Sequence, residues 1–192
     1  MPLLIHPSLH PGFQRRVNAL LRRSRHSPDN GEVRSVVRLR GGDAREYCLL
    51  PTNGAFNIDH VIPPDWWDVY RTGQLEGVPY QADREGPNHI DNYAWACGRC
   101  DNRKRAHAVL RTTSGATRPF DPCLDRWPDH FVFWPSSGYL LIEGMTPEGE
   151  ATVEVLGFND GGLGGPLGPR HVAIVHREYP PGWARIAYGL DS

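Results

Sequence analysis

The stretch "NIDHVIP" (57–63) sets an acid beside a histidine, Asp59 and His60, at the end of a run of β-forming residues. Imidazole changes charge near neutral pH, so a histidine placed there is suited to take a proton from water. The neighbouring carboxylate is a hard oxygen donor of the kind that Mg²⁺ and Mn²⁺ accept. A second group of capable side chains stands at "CGRCDNRKR" (97–105): Cys97 and Cys100, then Asp101-Asn102, then Arg103-Lys104-Arg105. Two cysteines at that spacing are half of a metal clip. Side chains alternate along a strand, so Asp59 and His60 point to opposite faces. They can serve one site only if another element closes over the strand end.

Several elements are available to do this. "EYCLLPTNGAFNIDHVIP" (46–63) reads as strand, turn, strand, with Asn53-Gly54 as the hairpin turn. "IDNYAWACGRCDNRKRAHAVL" (90–110) has no proline and one glycine, so a helix is expected over much of it. Between them, 63–90 is rich in Pro, Gly and charge and reads as a long loop, with one helical turn at "DWWDVY". Upstream, Phe13, Val17, Leu20 and Leu21 recur at helical spacing with arginines on the other faces. "EVRSVVRLRGG" (32–42) is a second short helix closed by Gly41-Gly42, although its valines leave a strand open. Downstream, "HFVFW", "YLLIEGM" and "EATVEVLGF" suggest a small antiparallel β-unit, or a strand pair plus a helix. "GGLGGPLGP" (161–169) is a break, followed by a tail with one β-like run.

Hairpin, Asp-His at the end of its second strand, loop, then a helix with a basic end: this order resembles the HNH endonucleases. The residues that carry the likeness are "NIDHVIP" (57–63), "DNYAWAC" (91–97) and "CDNRK" (100–104), and it extends over most of 40–158. The resemblance implies an α+β chain: a ββα-metal (HNH) core over 43–112, an N-terminal helical, arginine-rich leader over 1–42, and a small C-terminal β-rich extension over 113–160. The segment 161–192 is a Gly/Pro-rich break and tail. It further implies hydrolysis of DNA phosphodiester bonds, leaving 5′-phosphate and 3′-hydroxyl ends. His60 would be the general base, and Asp59 and Asp101 would hold one Mg²⁺ or Mn²⁺. Asn92 would brace the His-bearing loop by a side-chain hydrogen bond, and Arg103, Lys104 and Arg105 would meet the phosphate. Relatives carry His or Asn where this chain has Asp101; a carboxylate there still suits Mg²⁺ or Mn²⁺.

Many relatives also hold a structural zinc between two CxxC pairs. Here Cys97 and Cys100 form one pair, but Cys48 stands alone, because Arg45 occupies its partner's position. Cys123 or His107 could complete a zinc site from elsewhere. The alternative is a decayed site in which packing holds the elements together, and the missing ligand favours it. Redox use of the CxxC would need a thioredoxin-like setting that the chain does not suggest.

Bulk properties are consistent with such a reading without demanding it. Of 192 residues, 39% are hydrophobic and 22% charged, as in an ordinary globular domain, and no apolar run is long enough for a membrane span. Four cysteines without a secretory leader point to thiols or metal ligands and to the cytoplasm. The net charge of −1 gives no overall pull on a polyanion, but the charge is segregated. Eight arginines lie within 13–40, and 103–118 carries Arg103, Lys104, Arg105, Arg111 and Arg118 with no acid. DNA is the expected partner. Two other readings stay open: a non-catalytic nucleic-acid-binding or interaction protein on a degenerate HNH scaffold, and a nuclease silent until a defence-system or mobile-element partner joins it.

Overall fold

The computed structural model describes residues 19, 20, 22, 26–40, 46–50, 56–80, 84–113, 115–136 and 139–161. The Asn53-Gly54 turn, most of the leader before residue 26, and the break and tail after Gly161 lie outside the described residues. What is described mixes short helices with four two-stranded antiparallel sheets, an α+β arrangement. Among the described residues no helix is long and apolar enough to cross a membrane.

Helix α1, Gly31–Arg40, buries Val33, Val36 and Val37 along one side. Asn30 caps it: its side-chain oxygen accepts from the backbone N–H of Glu32 at 2.8 Å and of Val33 at 3.3 Å. The valines pack with Leu20, Ile90, Tyr93 and Trp95. The helix, not the strand, is therefore what 32–40 becomes.

Strand β1 is Phe56–His60, but its partner is not the segment before it. Residues 46–50 are turn and irregular backbone, and β1 pairs instead with Tyr93–Cys97, a strand drawn from the stretch expected to be helical. The register sets His60 opposite Tyr93 and Phe56 opposite Cys97. The reason is burial. All five residues of "YAWAC" are buried, and a chain flanked on both sides takes the strand pairing that satisfies its backbone. Glu46 lies on the far side of Trp95: its N–H donates to the Trp95 carbonyl at 2.8 Å, and its carboxylate accepts from the Trp95 N–H at 2.7 Å. The expected helix shrinks to Gly98–Lys104.

The excursion between β1 and its partner has internal structure. It contains a 3₁₀ turn at Pro64–Trp66, helix α2 at Trp67–Tyr70, and a minimal hairpin of β2 (Gln74–Leu75) and β3 (Val78–Pro79). Ile62, Tyr70, Leu75, Val78 and Tyr80 form its own apolar cluster with Ala108 and Val109. A 3₁₀ turn at Ile90–Asn92 leads into β4, Tyr93–Cys97, and then α3, Gly98–Lys104. After α3 come the pair β5 (Leu110–Thr112) and β6 (Gly115–Thr117) and the short helix α4 at Trp127–His130. The hairpin of β7 (Phe131–Ser136) and β8 (Tyr139–Gly144) precedes helix α5, Pro147–Leu156, so the extension is a strand pair plus a helix. Its Phe131, Phe133, Ile142, Leu156 and Phe158 share one core with Tyr47, Val61, Ala94 and Ala96. Gly144 lets β8 and α5 meet, since a Cβ there would lie 2.1 Å from the Glu150 backbone nitrogen, and Gly149 lets α5 approach the end of α4, where a Cβ would lie 2.2 Å from the His130 carbonyl oxygen.

Candidate functional site

Alternation along β1 divides its side chains. Phe56, Ile58 and His60 share one face, where His60 meets the Tyr93 ring edge-on at 5.0 Å. Asn57 and Asp59 share the other face, which α3 covers. Asn57 donates to Asp101 Oδ2 at 2.6 Å, and Lys104 Nζ lies 3.0 Å from Asp59 Oδ2 and 3.2 Å from Oδ1. Asp101 and Lys104, three apart on α3, thus both bear on the strand. At the end of β1 the two faces open into one cleft of about 360 Å³, lined by Asp59, His60, Pro63, Pro64, Asp65, Asp101, Asn102 and Arg105 among others.

Within that cleft the side chains are held in different ways. His60 Nε2 is 3.0 Å from Asn88 Oδ1, an acceptor to which that nitrogen can donate. Asn92 is fully buried. Its Oδ1 accepts from the Ile62 N–H at 2.9 Å, and its Nδ2 donates to the carbonyls of Ile62 at 2.8 Å and Pro87 at 2.9 Å. Its backbone carbonyl accepts from the Val61 N–H at 2.9 Å, so the turn directly after His60 is locked to the start of β4. Asp59 is the most confined. Tyr47 donates its hydroxyl to Oδ2 at 2.7 Å, Lys104 binds both oxygens, and burial pushes the carboxyl above its ordinary range against the pull of both partners.

Lys104 corrects one expectation. It does not face a phosphate: its side chain is fully inside the protein, with the ammonium on Asp59 and on the His60 carbonyl oxygen at 2.7 Å. A buried ammonium needs an anion, and Asp59 is the one in reach. Arg103 is also engaged elsewhere, sharing Asp160 Oδ2 with Arg99 at the extension. Of the three basic residues expected at a phosphate, Arg105 alone lines the cleft; it is exposed, and its Nε donates to the Asn102 carbonyl at 3.0 Å. Tyr47, Asn57 and Asn88 carry no signal of a site in the sequence. Each is polar, isolated and distant along the chain from its partner, and only the fold brings it to the site.

The donor set can be tested against a hard cation. A carboxylate has about four acceptor positions, so the bonds to Asp59 and Asp101 leave lone pairs on each. Mg²⁺ keeps several waters and is commonly held by one or two carboxylates together with substrate phosphate; Asp59 and Asp101 both line the open cleft. His60 is not a third ligand: among the described residues, the one trio of potential ligand atoms lying within 4.8 Å of one another is elsewhere.

That trio is Cys48, Cys97 and Cys100. All three are buried free thiols, with Cys48 Sγ and Cys97 Sγ 3.9 Å apart. Cys97 ends β4 and caps α3, its sulfur accepting from the Cys100 N–H at 3.2 Å. Thiolates bound at about 2.3 Å to a tetrahedral zinc are separated by roughly 3.8 Å, so the sulfurs keep the spacing of a ligand cluster and could hold a metal ion. Neither residue considered as a fourth ligand joins them. Cys123 turns its thiol to the Tyr93 carbonyl oxygen at 3.3 Å, and His107 is exposed beside Ala108 and Val109.

No family model, curated protein or solved structure matches the chain.

Proposed function

We propose that this chain is a metal-dependent endonuclease of the HNH type acting on DNA phosphodiester bonds. The observation that carries the reading is the meeting, in one solvent-open cleft, of His60 from the end of β1 with Asp59 and with Asp101 from the first turns of α3. Asp59-His60 ends the first strand of the antiparallel pair rather than the second, so what supports the reading is the order His60, Asn92, Asp101 across strand, strand and helix.

In this reading His60 takes a proton from water through Nδ1, because Nε2 is committed to Asn88. Asn92 keeps the imidazole in place by fixing both ends of the turn behind it. Arg105 offers its guanidinium to the phosphate at the cleft mouth. Asp59 and Asp101 would hold one Mg²⁺ or Mn²⁺, which when bound supplies charge stabilisation at the phosphate and the leaving oxygen. Tyr47 and Lys104 orient Asp59 from behind. Zinc is the ion whose preferred donors match the three cysteines, and it would tie residue 48 to the junction of β4 and α3.

The test is plasmid nicking in Mg²⁺, Mn²⁺ or EDTA. The parent should cut with metal and stop in EDTA, and His60→Ala should lose about 10²–10⁴-fold in rate, the usual contribution of a general base. A parent that binds DNA in EDTA but cuts with no metal would leave a binding protein on a degenerate scaffold, with Lys104 as the permanent counter-ion of Asp59.

A further inference from the structure

A groove of about 380 Å³ lies on the C-terminal extension, between the β7–β8 hairpin and helix α5, and shares no residue with the cleft. Alternation along the hairpin explains its wall. Phe133 and Ile142, paired across the strands, turn into the core, so Trp134 and its partner Leu141 face outward together, and Glu143 shares their face two residues on. Helix α5 contributes Glu150, Val153 and Glu154, which are neighbours at spacings of three and four. The result is an indole and two aliphatic side chains bordered by three carboxylates. Trp134 is 59% exposed, whereas Trp95 and Trp127 are buried. Glu143, Glu150 and Glu154 are exposed and have no ion-pair partner among the described residues.

We propose that this groove binds a basic segment of a partner protein, a stretch in which arginine or lysine alternates with apolar residues. A guanidinium or ammonium over the exposed indole gains a cation–π contact, and the carboxylates match its charge. Leu141 and Val153 provide apolar contact for the residues between the cations. Exposed tryptophan set in a concave patch is the usual anchor of a protein interface. Phosphates are the wrong partner here, because three glutamates repel them. The assignment does not depend on the nuclease reading.

The test uses the full chain and a short acetylated peptide alternating arginine with leucine, followed by tryptophan emission and calorimetry. A version with glutamate in place of arginine is the control. The parent should bind the arginine peptide at least roughly tenfold more tightly than the control. Trp134→Ala and the double variant Glu150→Gln, Glu154→Gln should each weaken it by roughly tenfold or more, as for an interface anchor. Both changes are on the surface, and circular dichroism checks that each variant folds; Glu143→Gln serves as a further variant on the same wall. Equal binding of the two peptides, or variants that bind like the parent, would overturn the proposal. So would single-stranded DNA displacing the peptide, or a dimer of the parent that Trp134→Ala abolishes, which would give the groove to a second copy.

Discussion

Lys104 Nζ lies 3.0 Å from Asp59 Oδ2, with the lysine side chain wholly buried and the aspartate 5% exposed. The helix that carries the basic run is therefore anchored to the strand that carries the Asp-His pair through an interior ion pair. Tyr47 completes it from a third segment.

Lys104→Met should destabilise the fold by about 3–5 kcal/mol at neutral pH, since it leaves a carboxylate buried without its cation. Burial raises Asp59 in the folded state, so the folded chain holds that proton more tightly than the unfolded chain does. That contribution is present below the unfolded carboxylate value of about 4 and is lost as pH rises through the raised folded value. Urea denaturation of parent and variant should therefore show a penalty that shrinks towards acid pH. A penalty constant from acid to neutral pH would show that the pair is not what the lysine provides.

Asn92→Ala removes an acceptor and two donated bonds from a fully buried position. Leaving buried backbone groups unpaired costs about 1–3 kcal/mol each, so a fall of several kcal/mol in unfolding free energy is expected. At a temperature where the variant remains folded, nicking should fall while DNA binding in EDTA holds, because the loss is in the setting of His60. Equal losses of binding and cutting would show general unfolding instead.

The three clustered thiols should take up one zinc per chain, released by Cys97→Ser and followed by a chromogenic chelator. Cadmium substitution would report the same site through thiolate-to-metal absorbance. A purified chain that takes up no zinc and shows no such band would establish the decayed site, with the sulfurs held close by packing alone.

Without metal the same cysteines make the fold sensitive to alkali. Cys48 is pushed up to about 12: a hydrogen bond with Cys100 favours its thiolate, but the bond with Cys97 and burial outweigh it. A thiol raised in the folded state contributes stability that is complete below the unfolded value of about 8.5 and fades as pH climbs through the folded one. In EDTA the urea midpoint should fall across that window, and Cys48→Ala should flatten the fall. An unchanged slope in Cys48→Ala would remove the thiol from the account.

Much of the site could be read from residue types. The β-formers around Ile58 mark β1 and leave Asp59-His60 at its end, and the order of Asn92, Asp101 and the basic run survives folding. β4 is not legible because Ala94, Ala96 and the absence of proline are equally at home in a helix. Only burial on every side, with β1 available, makes that stretch a strand. Lys104 is illegible for a different reason. A lysine between two arginines looks solvated, and its partner Asp59 is 45 residues away, so no local pattern reports that it turns inward. The cysteine cluster was half legible: CxxC announces Cys97 and Cys100, while the approach of Cys48 depends on how residues 46–50 turn against β4.

The bond from the Val61 N–H to the Asn92 carbonyl, with the paired bonds of the Asn92 side chain to Ile62, staples the two ends of the 61–92 excursion together. What lies between Asp65 and Pro87 can lengthen, shorten or be exchanged while Asn88, which holds the imidazole at 3.0 Å, stays in place. That part of the excursion is thus a cassette, and shape around the cleft can diversify by swapping it while the chemistry at its base stays put.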